Sequence, residues 1–358
     1  MRRLVTRTVA VVAMLAPLRP AAACTTFCYE DGGTRVFGKN YDWNVEDGMV
    51  VVNQRGVAKT ALTRGGAATW TSRFGSLTFN QYGREFPSGG INERGLAVEL
   101  MWLDETEYPA ADSRGALPTL QWIQYQLDNA ATVDEVIASD ARVRITDGGS
   151  ARIHFLVADA AGGVAAIEFM AGKMVVHRDA GMPYPVLTND TYEASVEYAR
   201  TAGRRLGVSP TASLDRFARA ASHACKADDR AEAVRNAFAL LGEVAQGEYT
   251  QWSIVYDLRD RRAYFKSRLA PEVRWIDLDA LSFECGEPVR VLDINANLAG
   301  DAAPKLAVYD EEANRRLVRA SFAKTPFLRE VPLDAREELA RYPRSTACAT
   351  DGEPGSER

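Results

Sequence analysis

Histidine is scarce in this chain: three residues in 358, His154, His177 and His223. A hydrolase built around a histidine base therefore has few options, and none of the three sits in a catalytic motif. Also absent are the G-x-S-x-G elbow, H-E-x-x-H, the Walker loop and G-x-G-x-x-G, which removes the commonest signatures of serine hydrolases, zinc proteases and nucleotide binders. Five cysteines with no Cys-x-x-Cys spacing are too few for a disulfide scaffold and do not mark a zinc site. Basic charge is not in surplus: 43 Lys and Arg against 48 Asp and Glu give −5, which excludes the broad basic face of a nucleic-acid binder. Past the N-terminus no apolar run approaches the length of a bilayer span, so no stable membrane insertion is expected. The remaining composition, 46% hydrophobic and 25% charged, is that of a globular chain.

What is present begins with a leader. Arg2, Arg3 and Arg7 form a positive region, Val9 to Leu18 a short apolar stretch, and Ala21-Ala22-Ala23 a small-x-small cleavage pattern. Residues 1–23 read as a signal peptide, which places the mature protein in the periplasm or outside the cell. Loss of its four arginines takes the formal charge from −5 to −9. Cleavage leaves Cys24 first. Its readings are a lipid-anchored cysteine of a binding protein, an N-terminal nucleophile, or a cysteine that merely borders the leader. The lipoprotein reading lacks the large aliphatic residue that usually precedes such a site.

Beyond the leader the pattern is strands, then helices, then strands. Thr25–Tyr29 and Thr34–Phe37 flank Asp31-Gly32-Gly33, a hairpin signal. Met49–Asn53 and the stretch Trp70–Phe79 read as strands. Leu96–Leu103 is almost continuously apolar and predicts a strand buried on both faces. Residues 118–140 predict one or two helices, with Thr132 as an N-cap. Arg152–Asp159 and Val164–Phe169 read as strands, Thr191 to about Gln246 as helical, and Trp252–Asp257 and Arg262–Ser267 as strands again. This order predicts an α+β fold of packed sheets with outer helices. Arg344–Arg358, rich in Gly, Pro, Ser and charge, predicts a disordered tail.

Without a histidine base, the chemistry suits Cys24 if its amine is free. An α-amine titrates near 7.7–8.0, so it can take the proton of its own thiol close to neutral pH. Such a nucleophile needs a carboxylate to orient the amine, cations to favour thiolate, and amide donors for the oxyanion.

The ordered set Cys24-Thr25-Thr26-Phe27, Phe37-Gly38-Lys39-Asn40-Tyr41-Asp42-Trp43 and Gly90-Ile91-Asn92-Glu93-Arg94-Gly95-Leu96-Ala97 resembles the choloylglycine hydrolase family. That family of N-terminal nucleophile hydrolases includes penicillin V acylases and conjugated bile salt hydrolases. His154–Asp159 with Ala166–Phe169, Val186-Leu187-Thr188-Asn189, Ser213–Phe217 and Thr250–Asp257 continue the match in order. The resemblance implies a four-layer αββα sandwich over residues 24–343 as one domain. It implies Cys24 as nucleophile and, through its amine, base; Asp42 as holder of the amine; Asn189 as oxyanion donor; and Arg216 as support for the thiolate. Asn189-Asp190-Thr191 also reads as a glycosylation sequon, and an isolated helical arginine is ordinarily solvated. The implied partner is a small-molecule N-acyl amide, with no metal or organic cofactor; relatives with this fold are often homotetramers, and the sequence leaves the oligomeric state open.

Two departures shape the expectation. Lys39 stands where the family usually has arginine, keeping the charge but losing the planar two-pronged donor. Trp102 stands where bile salt hydrolases usually carry asparagine, so its side chain meets the acyl group. Trp43 and Trp102 together resemble the aromatic acyl pocket of Gram-negative penicillin V acylases. The leading expectation is hydrolysis of penicillin V or of N-acyl homoserine lactones through a thioester, with bile salt hydrolysis as the alternative. Cys28 falls on the same strand face as Cys24 and reads as a buried thiol. Cys225, Cys285 and Cys348 leave room for one disulfide that sequence cannot pair.

Overall fold

The computed structural model describes residues 24–146, 151–202, 212–223 and 227–349. The leader, Cys225 and residues 350–358 lie outside them. Seven strands form one sheet, from edge to edge Val186–Leu187, Thr25–Asp31, Thr34–Asp42, Thr250–Asp257, Arg262–Ser267, Arg274–Asp277 and Gly300–Asp301. A second sheet of nine runs Lys173–Arg178, Val164–Met170, Ile153–Ala158, Ala97–Trp102, Gly89–Asn92, Ser76–Asn80, Met49–Asn53, Arg290–Asp293 and Ala307–Val308. Pairing in the nine-stranded sheet is antiparallel throughout; in the other only Arg274–Asp277 and Gly300–Asp301 run parallel.

The alternation of side chains along each strand builds four layers. In Ala97–Trp102, Ala97 and Met101 face the seven-stranded sheet, whereas Val98 faces helices α1 (Thr119–Asn129) and α2 (Val133–Ala138). Trp122 of α1 stacks on Phe155 at 4.4 Å between centroids, and burial of each such side chain contributes about 1.5–3 kcal/mol. On the far side α3 (Tyr192–Ala202), α4 (Ser213–Ala221) and α5 (Arg230–Glu243) cover the seven-stranded sheet. The α+β sandwich expected from the strand–helix order is thus the observed architecture, and the Thr132 hydroxyl caps α2 by accepting from Glu135 N. Gly38 is required in the Phe37–Trp43 motif, because a Cβ there would lie 2.2 Å from the Phe27 ring on the neighbouring strand.

Three sequence expectations are refined or corrected. The Trp70–Phe79 stretch divides between two sheets: Thr69–Thr71 joins a small separate sheet and Ser76–Asn80 the large one, because the chain turns at Arg73–Gly75 to meet Asp128 O and Glu93. Helices α6 (Glu311–Lys324) and α7 (Leu333–Arg341) form a C-terminal hairpin that the pattern reading leaves out. The segment read as a disordered tail is ordered to residue 349. Ala347–Cys348 pairs with the strand Val57–Thr60, and Cys348 is disulfide-bonded to Cys285. That bond answers the pairing question left open by sequence.

Candidate active site

Cys24 lies at the start of the strand Thr25–Asp31, and its side chain is 2% exposed. Antiparallel pairing of Thr25 with Asn40 and of Thr26 with Lys39 lays the strand that carries Lys39 and Asp42 alongside Cys24. Both are buried. Asp42 accepts from Thr250 Oγ1 at 2.5 Å through Oδ1, while Oδ2 is buried with no hydrogen-bond partner among the described residues. Burial pushes the Asp42 carboxyl up to about 7, against the pull of the Thr250 hydrogen bond and of Arg216 and Lys39.

Lys39 crosses to the other sheet. Its ammonium donates to Leu100 O, lies 3.5 Å from Met101 Sδ and 3.9 Å from Glu99 Oε2. Glu99 also accepts from Tyr256 Oη at 2.5 Å, and burial lifts its pKa to about 7 despite Lys39 and that bond. Gly89 makes room: a Cβ there would meet the Glu99 carboxyl at 2.2 Å. A lone carboxylate inside an apolar strand was a signal in sequence that Glu99 has a buried partner, and the reading by motif missed it.

Arg216, on α4, is fully buried. It donates to Thr25 Oγ1 at 3.1 Å, to Cys24 O at 3.4 Å and to Asn189 Oδ1 at 2.7 Å. Asn189 in turn donates from Nδ2 to Trp102 O at 2.9 Å, and its backbone N–H is held by Ser213 Oγ at 2.8 Å. With its oxygen clamped by the guanidinium, the orientation of the Asn189 amide is fixed, and the second Nδ2 hydrogen has no partner among the described residues. Behind it Glu168 accepts from Tyr192 N at 2.8 Å and lies 3.2 Å from His154 Nδ1, whose Nε2 is 2.8 Å from Thr188 O. Here His154 is a core histidine that braces the Thr188–Asn189 segment.

The thiol itself is not a thiolate in the uncleaved chain. Burial pushes it up, Lys39 pulls it down, and the Asp42 charge pushes it up again, with a net rise. Desolvation thus outweighs the pull of Lys39 while the Cys24 nitrogen is an amide.

An apolar cavity of about 730 Å³ opens on Cys24. Trp43 and Trp102 line it with ring centroids 6.3 Å apart, and Phe327 completes a trio at 6.1 and 5.6 Å from them. Tyr41, Leu120 and Leu339 lie on the same wall. Asp42, Lys39, Asn189 and Arg216 do not line this cavity; they surround Cys24 from behind. A larger polar groove of about 880 Å³, with Arg64, Arg144 and Arg152 on its wall, does not reach Cys24. Thr250, Glu99 and Phe327 are the site residues that sequence reasoning missed. Thr250 opens a quoted motif; Phe327 left no sequence signal.

Residues 24–202 match the family of linear amide C–N hydrolases, choloylglycine hydrolase family. The chain is 27% identical over 332 residues to the penicillin V acylase of Pectobacterium atrosepticum, covering 77% of this chain and 86% of that protein. It is similar to the structure of penicillin V acylase from Agrobacterium tumefaciens, with TM-score 0.70, 27% identity and coverage of 80% of this chain and 98% of that one. A variant conjugated bile acid hydrolase from Clostridium perfringens shares the fold at TM-score 0.62 and 17% identity, covering 77% and 98%.

Proposed function

The chain belongs to the linear amide C–N hydrolases of the choloylglycine hydrolase family, and we propose that it acts as an exported cysteine amidase on aryl- and fatty-acyl amides. The penicillin V side-chain amide and N-acyl homoserine lactones are the leading substrates. In this reading removal of residues 1–23 turns the Cys24 nitrogen into a free amine.

The observation that carries it is the orphan oxygen of Asp42. A buried carboxylate oxygen without a partner is costly, about 1–3 kcal/mol or more for a charged group. The Cys24 α-amine donates an N–H to it, as the ammonium at rest and as the neutral base once it has released a proton to water. The amine then takes the thiol proton, Sγ attacks the amide carbonyl, and the free Asn189 N–H supports the oxyanion while Arg216 holds Asn189 in register. Collapse breaks the C–N bond and the ammonium returns its proton to the departing amine, leaving a thioester. Water attacks that thioester and gives a proton to the amine; collapse breaks the C–S bond, the ammonium returns that proton to sulfur, and the carboxylic acid leaves. Lys39 contributes a positive charge beside the sulfur, and Glu99 balances it.

The aromatic cavity supports aryl-acyl and alkyl-acyl groups over a rigid steroid. The burial of Cys24 speaks against a lipid anchor, since an acylated terminus has to leave the core for the bilayer. Hydrolysis profiling of the processed protein against penicillin V, acyl homoserine lactones and glycocholate, with the mass of its N-terminal peptide, tests the reading. Efficient glycocholate cleavage with poor penicillin V turnover would replace it by the bile salt reading. Full activity in protein that retains Ala23 would overturn the amine as base.

A further inference from the structure

Phe327 is 43% exposed, yet its ring is set against both cavity tryptophans rather than against a core. It sits in the turn Pro326–Leu328 between α6 and α7. The hairpin around it also sends Leu328, Val331 and Leu339 to the cavity wall. Its inner side packs through Val318 and Phe322 against Tyr82 and Phe86.

A hydrogen-bond chain joins this turn to the acyl site. Trp43 Nε1 donates to Tyr82 Oη at 2.9 Å, and Tyr82 Oη lies 3.1 Å from Thr325 Oγ1, two residues before Phe327. Past α7 the chain is tied down again by Ala347–Cys348 on Val57–Thr60 and by the Cys285–Cys348 disulfide. A turn fixed at both ends, with an apolar ring aimed at two indoles, is a built wall.

We propose that the α6–α7 hairpin is the selectivity wall of the acyl site and that Phe327 is its specificity-determining residue, favouring acyl groups large enough to reach both tryptophans. Tyr82 is a positioning residue that sets the turn through Thr325. This rests on the acyl-amide reading above for its substrates, though not for its binding test. Aromatic contacts add to apolar burial, so the wall discriminates by several-fold rather than absolutely.

Binding of the product acids to the processed full chain provides the test, followed by tryptophan fluorescence because Trp43 and Trp102 line the cavity. Phe327→Ala is expected to weaken phenoxyacetate by about 5- to 20-fold and propionate by about twofold or less. The same substitution is expected to lower the ratio of kcat/KM for phenoxyacetyl over propionyl amides, through KM. Tyr82→Phe should shift that ratio in the same direction by a smaller factor, and Phe327→Tyr should restore it. Equal weakening of both acids, or no weakening of either, overturns the wall. If the wild type hydrolyses no acyl amide while Phe327→Ala still erases the binding preference, the amidase reading falls and the wall stands.

Discussion

Two regions meet at Cys24 and are built on opposite principles. Behind the sulfur lies a nest of buried charge in which Lys39, Asp42 and Arg216 are fully enclosed, partnered in turn by Glu99, Thr250 and Asn189. In front lies an apolar cavity walled by Trp43, Trp102 and Phe327. The nest comes largely from short ordered motifs on paired strands, so its geometry is fixed by ladder register. The cavity wall is assembled from a loop, a strand end and a C-terminal hairpin that are distant in sequence. A misplaced buried charge is heavily penalised, whereas an aromatic contact tolerates adjustment. Chemistry should therefore be steep in the nest and selectivity shallow at the wall.

The largest effect belongs to the nucleophile. Cys24→Ala should lower turnover of any acyl amide by about 10⁴-fold or more while leaving the circular dichroism spectrum intact. Activity that survived this change would remove the nest from the chemistry altogether. Next comes Asn189→Ala, which removes one donor and takes the Asn189 Oδ1 acceptor away from Arg216. Its kcat should fall by roughly 10²–10³. If kcat stayed normal, the oxyanion would have to be held elsewhere.

How much of this was legible follows the same division. The hairpin Thr25–Asp31 and Thr34–Asp42, the Thr132 cap and the doubly buried strand Ala97–Trp102 were readable because turns, caps and apolar runs are local signals. Asp42, Asn189 and Arg216 were readable only as motif members; taken singly, each passes for a turn, cap or surface residue. Glu99 left a signal, a carboxylate in an apolar run, that points to a partner without naming it. Phe327 left none, although α6 itself carries the Asp310 cap and an acidic first turn that the pattern reading passed over. The contact of Trp43 with Phe327 depends on how α6 packs over Tyr82 and Phe86, which no spacing within either segment encodes.

The nest should also reveal its state through pH. In the uncleaved chain Asp42 is raised from 3.8 to about 7, first by burial. The folded chain thus holds a proton on Asp42 that the unfolded chain releases. The stability tied to that proton is present below about pH 4 and is lost as pH rises towards 7. Urea unfolding of a cleavage-blocked chain should show stability falling over this range, with a smaller slope in Asp42→Asn. In the proposed processed form an ammonium beside the carboxylate would lower its pKa, so protein starting at Cys24 should also show the smaller slope. An equal slope in all three would mean that Asp42 is not the group that feels cleavage.

The smallest expected effect tests the wall through Trp102. Its indole nitrogen is engaged by Asp104 Oδ1 at 2.7 Å, which fixes the ring, and its carbonyl holds Asn189. Only the side chain is lost in Trp102→Ala, so the backbone hydrogen bond to Asn189 persists and kcat should change little. What disappears is a flat face at 6.3 Å from Trp43 and 5.6 Å from Phe327, on which a phenoxy ring can stack. Such contacts are worth about 0.5–1.5 kcal/mol, so kcat/KM for phenoxyacetyl amides should drop about two- to twelvefold, mostly in KM, and less for short aliphatic amides. A fall in kcat of the size expected for Asn189→Ala would instead mean that the indole braces the oxyanion donor. The boundary between nest and wall would then run through Trp102 itself. An unchanged acyl preference would make the ring part of the packing between the strand end and the hairpin and leave selection to Trp43 and Phe327.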